Sequence, residues 1–214
     1  MKPIVIGITG TDTGVGKTVF AAALTQALDG YYYKPVQAGL EADVWGHTDG
    51  ERVAHLAGLP PARILPEMYR LTQPLSPHRA AELDELTLDV GRLAVLPHAP
   101  GPLVVEGAGG VLVPLSRQVL QADVFARWGI PMVVCARTGL GTLNHTLLTL
   151  EALAHRQVPV LGLVFIGPAN PDNEATACRM GKVRYLGRLA WADPLSPQSL
   201  KKLFMAGFHV EDYL

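Results

Sequence analysis

Cysteine is scarce: the 214 residues contain two, Cys135 and Cys178. They lie far apart and form no metal-spaced pair, so neither a disulfide framework nor a cysteine-based metal site is expected. This usage fits a reducing compartment, and a cytoplasmic location is expected. An excess of charge is missing too. Eighteen Lys and Arg face 19 Asp and Glu, for a net charge of −1, with no basic tail or cluster. Nothing here suits nucleic acid or an anionic membrane surface. No apolar run is long enough to span a bilayer. The N-terminal run is short and broken by Gly7, unlike a secretory signal. Repeats, linkers and low-complexity tracts are absent, so a single domain over 1–214 is expected. What is present is apolar residues, 49% of the chain, enough for a substantial core.

Those residues alternate between two patterns. Short β-branched runs predict strands over 4–9, 31–34, 103–106, 132–136 and 160–166, with a further short one at 184–187. Helical spacing predicts helices over 17–28, 49–56, 86–96, 120–128, 143–156 and 173–180. Leu200, Leu203 and Phe204 suggest a short amphipathic helix near the end. The proline-rich stretches at 60–61 and 97–102 read as loops. The alternation predicts an α/β fold: a doubly wound, mostly parallel sheet with helices on both faces. Ligands of such sheets bind outside the carboxyl ends of the strands.

The first strand and helix are joined by Gly10-Thr11-Asp12-Thr13-Gly14-Val15-Gly16-Lys17-Thr18. A glycine-rich turn between a buried strand and a helix start gathers backbone N–H groups and the helix dipole on an anion. Gly14, Val15, Gly16, Lys17, Thr18 and Val19 are therefore expected to cradle a nucleoside triphosphate, with ATP the default. Lys17 supplies a charge for the β- and γ-phosphates, and the Thr18 hydroxyl can hold Mg²⁺. The strict pattern places four residues between its first glycine and Gly-Lys. Here five separate Gly10 from Gly16, and Thr11 takes the strict first position.

Phosphoryl transfer also needs oxygen ligands for the metal. Glu106 ends the apolar strand Leu103-Val104-Val105 and opens Gly107-Ala108-Gly109-Gly110, a placement suited to a metal partner. Asp49, in His47-Thr48-Asp49, serves equally well as a metal partner or a helix cap. Lys34 follows Tyr31-Tyr32-Tyr33 and precedes Pro35; alone it reads as a held strand-end cation or a snorkelling edge residue. Ser76-Pro77-His78 reads as loop architecture, and His145 as structural.

Taken together, these segments resemble the dethiobiotin synthetases. The resemblance rests on the long phosphate loop, Tyr33-Lys34-Pro35-Val36, Asp49, Ser76-Pro77-His78, Val105-Glu106-Gly107-Ala108-Gly109-Gly110 and Leu140-Gly141-Thr142-Leu143-Asn144-His145. It implies an ATP- and Mg²⁺-dependent ligase of biotin synthesis that joins CO2 to 7,8-diaminononanoate and closes a cyclic urea. The implied route runs through a carbamate and a carbamic-phosphoric anhydride. Thr18, Asp49 and Glu106 would organise the metal, Lys34 would hold the carbamate, and Thr13 would help seat the substrate. The resemblance also implies a homodimer, with Leu140, Gly141 and Asn144 of the second subunit binding the substrate's tail carboxylate. From the residues alone, that last segment reads as a helix-entry turn with Asn144 near the cap.

Two positions depart from the family pattern. Ala38 stands where a serine or threonine is usual, so a hydroxyl contact to substrate is lost. Ile166 stands where an asparagine would read adenine, and an isoleucine side chain cannot hydrogen-bond a base. Asn170, or backbone groups near 189–192, are the substitutes the sequence offers. Two other classes share the pattern: a partition- or septum-positioning-type regulatory ATPase, and a non-catalytic regulatory domain. Against the first stand Thr11, Asp12 and Thr13, where those switches carry an extra lysine, and a tail that is not basic. Against the second stand the intact Lys17, Thr18, Lys34 and Glu106.

Overall fold

The computed structural model describes residues 4–40 and 48–214; residues 1–3 and 41–47, His47 among them, lie outside the described residues. The described strands are β1 (Val5–Gly10), β2 (Tyr31–Tyr33), β3 (Val36–Ala38), β4 (Ile64–Leu65), β5 (Tyr69–Leu71), β6 (Leu103–Glu106), β7 (Met132–Arg137), β8 (Val160–Ile166) and β9 (Tyr185–Leu189). Seven of them form one sheet in the order β4-β2-β6-β1-β7-β8-β9, and every pairing is parallel. β3 and β5 pair separately as a parallel ribbon. The helices are α1 (Lys17–Ala27), α2 (Asp49–Ala57), α3 (Pro77–Leu83), α4 (Val90–Leu93), α5 (Gln121–Trp128), α6 (Thr142–His155), α7 (Pro171–Gly181) and α8 (Pro197–Gly207).

The central strands read as unbroken apolar runs because both their faces are covered. Alternation then divides each run between two cores. Ile6, Ile8, Val104, Val133, Cys135 and Val164 face one cluster with Phe20 and Leu24 of α1, Val53 of α2 and Leu200 of α8. Leu103, Val105, Met132, Val134, Leu163 and Phe165 face the other, with Phe125 of α5, Leu153 of α6 and Ala177 of α7. The chain's C-terminal turn closes the first core, where Phe20 packs on Phe208 with ring centroids 5.4 Å apart. The expected doubly wound sheet is thus present, and β1 sits between β6 and β7 with its carboxyl end central.

Two local expectations are corrected. The helix predicted over 86–96 is reduced to α4. Glu85 adopts φ 57°, which turns the chain, and the Asp89 side chain accepts from the Arg92 N–H and caps a fresh helix. Ser76-Pro77-His78 is no simple loop: Ser76 is the N-cap residue and Pro77 the first residue of α3, where its fixed φ and missing N–H do no harm. β3, β4 and β5 span only two or three residues each, too few to carry a period.

Candidate active site

β1 delivers the glycine-rich loop to the carboxyl edge, where Thr11 N donates to Cys135 O of β7 at 3.0 Å. The loop closes at Gly16, the N-cap residue of α1, which has φ 100° and makes no side-chain cap bond. A Cβ at Gly16 would stand 2.9 Å from Ile166 Cγ2, so the left-handed turn and the close approach both require glycine. With no side chain capping it, the first turn of α1 keeps its N–H groups free of side-chain partners, as an anion cradle needs. Lys17 is buried, and its Nζ donates to Asp12 O at 2.8 Å across the loop. Burial holds its pKa below the usual lysine value, against the pull of Glu106. On the outer side Arg137 Nη2 donates to Thr13 O at 2.9 Å and lies 3.6 Å from Asp12 Oδ2.

The second part of the site lies at the ends of β6 and β2. Glu106 is 1% exposed, and both its oxygens are occupied. Oε1 accepts from the Thr18 hydroxyl at 2.9 Å and lies 3.4 Å from Lys34 Nζ; Oε2 accepts from the Tyr32 hydroxyl at 2.8 Å. Lys34 Nζ also donates to Asp49 Oδ2. The two readings of Asp49 separate here. Thr48 is the cap of α2, in a reciprocal capping box with Glu51, and the Asp49 carboxylate turns to Lys34 instead. Gln37 Oε1 accepts the Asp49 N–H at 3.1 Å and holds the start of α2 against β3. Burial alone would lower the Lys34 pKa, but Glu106 and Asp49 outweigh it and raise the pKa above the usual value. Lys34 is therefore a fixed cation at neutral pH, not a base. Burial and the Glu106 charge push the Tyr32 phenol well above its usual pKa, so it donates and stays neutral.

Tyr32 and Gln37 are site residues that the sequence reading missed. For Tyr32 a signal existed: strand alternation puts it on the same face as Lys34, two residues on. For Gln37 there was none. The Thr18 hydroxyl and the Glu106 and Asp49 carboxylates make a set of hard oxygen donors. Among the described residues no group of three or more His, Cys, Asp and Glu gathers to hold a metal without help. Two carboxylates and a hydroxyl fit Mg²⁺, which draws its remaining ligands from phosphates and water.

Comparison with known proteins gives the family. A family model described as an AAA domain matches residues 5–199. The ATP-dependent dethiobiotin synthetase BioD of Novosphingobium aromaticivorans is 58% identical over 206 residues, covering 96% of this chain and 97% of its own. The proteins of the same name from Agrobacterium fabrum and Rhodopseudomonas palustris HaA2 are 56% and 54% identical, covering 97% and 100% of this chain and 95% and 97% of their own. This chain belongs to the dethiobiotin synthetase family. Solved structures at low identity show its fold alone. A ParA family ATPase from Chlorobium tepidum superposes with a TM-score of 0.56 at 12% identity, covering 94% of this chain and 92% of that one. Chloroplast FtsY from Physcomitrella patens gives 0.54 at 14%, covering 95% and 65%.

Among the described residues several clefts border the phosphate loop of this synthetase-family chain, and a small one of ≈ 140 Å³ brings Leu140 and Gly141 beside Thr11 and Asp12. One of ≈ 340 Å³ is lined by Thr13, Lys34, Asp49, Val36, Ala38 and Ser76, and so brings two of the expected substrate residues together. Ser76 Oγ lies 3.0 Å from His78 Nδ1. A second, of ≈ 350 Å³, continues past Thr13 to Val113, His145 and Leu148. Leu140, Gly141 and Asn144 are not brought to Lys34 within the chain. Gly141 is the N-cap residue of α6, and Leu140 and Asn144 are exposed beside it. His145 is exposed as well and lines the second cleft. The third cleft, of ≈ 430 Å³, lies on the opposite side of the loop and is bounded by Gly14, Val19, Ile166, Leu189, Trp191 and Leu195. Asn170 does not reach it as a base reader, because its side chain caps α7 and donates to Thr138 O at 3.1 Å.

Proposed function

We propose that this chain is an ATP-dependent dethiobiotin synthetase, joining CO2 to 7,8-diaminononanoate. The observation that carries this reading is Lys34. It is a buried ammonium paired with Asp49 and Glu106, whose charges raise its pKa above the usual lysine value, and it stands between the phosphate loop and the ≈ 340 Å³ cleft. An apolar side wall of Val36, Ala38 and Val113 in that cleft suits an alkyl chain.

One amine of the substrate combines with CO2 and loses a proton, giving a carbamate anion. Lys34 pairs with that anion and holds it toward the phosphate loop, so that the attack on the γ-phosphorus becomes effectively intramolecular. The carbamate oxygen takes the phosphoryl group and ADP departs. The second amine then attacks the carbamoyl carbon, phosphate leaves with the proton this amine loses, and the urea ring closes. Lys17 and the loop N–H groups offset the charge that builds on the transferred group. Thr13 lines the cleft next to Lys34 and helps seat the diamine. Thr18, Glu106 and Asp49 would hold Mg²⁺, which supplies charge neutralisation at the phosphates when bound.

The same reading makes the chain one synthetase-like domain over 1–214, a cytoplasmic homodimer with no nucleic-acid partner. Leu140 is fully exposed, and Leu112 and Leu148 are about half exposed near the second cleft. A second copy packing there would cover these leucines and offer its own Leu140, Gly141 and Asn144 to the tail carboxylate. No helix among the described residues is long and apolar enough to cross a membrane.

The deciding experiment measures phosphate release with bicarbonate and diaminononanoate added singly and together. Release that needs both supports the synthetase. Release indifferent to both returns the chain to the regulatory ATPases, and no release at all to a non-catalytic domain.

A further inference from the structure

The cleft on the β7–β9 side of the phosphate loop has an unusual lining for a site expected to receive a nucleotide base. Val15, Val19, Ile166, Leu189 and Leu195 make it aliphatic. Two lining side chains, Arg137 and Trp191, carry N–H groups, and none carries an acceptor. Arg137 is engaged by the Thr13 carbonyl and the Asp12 carboxylate. Asn170, four residues beyond Ile166, is committed to capping α7 and to Thr138 O. Trp191 is different. It is 80% exposed, a large apolar surface left in water at the lip of the cleft. Its Nε1 approaches the β8 end so closely that a Cβ at Gly167 would stand 3.1 Å away.

We propose that Trp191 is the platform on which the nucleotide base stacks, and that this chain accepts purine and pyrimidine triphosphates with little preference. This rests on the reading of the phosphate loop as a nucleotide site. Every base has a π face, so stacking on an indole is tolerant of sequence and size. Strong discrimination comes from buried polar groups that are left unpaired by the wrong ligand; the aliphatic side chains of this slot supply none, leaving only backbone groups at 189–192, and it sorts ligands weakly.

The test uses the intact protein with Mg²⁺ and ADP, GDP, CDP or UDP, following tryptophan emission and, independently, calorimetric binding. All four should quench the wild type, with dissociation constants within about tenfold of one another. Trp191→Ala should weaken all four in parallel by about tenfold, whereas Trp191→Phe, which keeps an aromatic face, should stay within about threefold. The emission that nucleotide quenches should be the part that Trp191→Phe removes. Trp128 is buried and donates to Leu93 O, and subtracting the Trp191→Phe emission from the wild type removes the contributions of Trp128 and Trp45 alike.

ADP binding more than about a hundredfold tighter than CDP and UDP would overturn the proposal, since the base would then be read through hydrogen bonds. Wild-type affinity in Trp191→Ala would overturn it as well, while leaving synthetase activity in place. Failure of the wild type to bind any of the four would remove both this inference and the phosphate-loop reading beneath it.

Discussion

On the β2–β6 side of the phosphate loop, Glu106, Lys34, Tyr32 and Asp49 stand in mutual contact with little access to water. On the β7–β9 side, Ile166, Leu189 and Leu195 present aliphatic surface, and Arg137 at its edge is held by the phosphate loop. The two sides meet at Gly16, yet they respond to change in opposite ways. In the charged half each group offsets the desolvation of another, so removing one leaves its neighbours buried and unpaired. In the apolar half contacts are non-directional and add by area, so a trimmed side chain is felt only in proportion. On the proposed reading, orientation for chemistry belongs to the first half, and capture with little selection to the second.

This contrast can be broken by substitution, with the largest effects expected where loop and charged half join. Lys17→Ala should lower turnover roughly 10³-fold, because on the proposed reading the transferred phosphoryl group loses a cation that offsets its charge. Next comes Lys34→Ala, expected to lower kcat roughly 10²-fold while leaving nucleotide affinity within about threefold. Its thermal or denaturant stability should also fall by about 3 kcal/mol, since Asp49 and Glu106 are left facing each other. Near-normal turnover in that variant would remove the carbamate role. The raised Lys34 pKa gives the pH sense: its contribution to stability is full below the unfolded value of 10.5 and is lost only as pH rises through the higher folded value. An alkaline fall in kcat well below 10.5 would therefore belong to another group.

Glu106→Gln should raise the Mg²⁺ concentration for half-maximal turnover about tenfold, and an unchanged metal dependence would exclude Glu106 from the metal's surroundings. Tyr32→Phe removes one hydroxyl from a buried carboxylate and should cost about 1–2 kcal/mol in unfolding free energy, with turnover within about threefold. The smallest effect is expected across the loop. Ile166→Val should change stability by about 1 kcal/mol and nucleotide affinity by less than about threefold. A large loss there would show the apolar half to be as exacting as the charged one.

How much of this was legible beforehand depended on distance along the chain. The phosphate loop was readable because Gly14, Gly16, Lys17 and Thr18 act from one contiguous segment, and its strand and helix announce themselves by local periods. Lys34 and Glu106 were readable as polar residues ending apolar runs. Asp49 was ambiguous until Thr48 was seen to cap α2. The helix predicted over 86–96 failed because apolar spacing cannot show that Glu85 turns the chain and that Asp89 starts a new helix. Gln37 left no trace, since its partner is a backbone N–H twelve residues away.

The sequence by itself determined the parallel sheet, the anion cradle at the mouth of β1 and the residue types able to transfer a phosphoryl group. Those follow from hydrophobic period and glycine placement, which act over a few residues. Tertiary structure alone decided that Glu106 would take Thr18, Tyr32 and Lys34 at once, across 88, 74 and 72 residues of chain. It likewise decided that segments near residues 15, 166, 190 and 195 would close into an aliphatic slot. Burial belongs to the packed assembly and not to any segment of it, and only there does Lys34 meet Glu106 and Asp49, whose charges outweigh the burial that would lower its pKa.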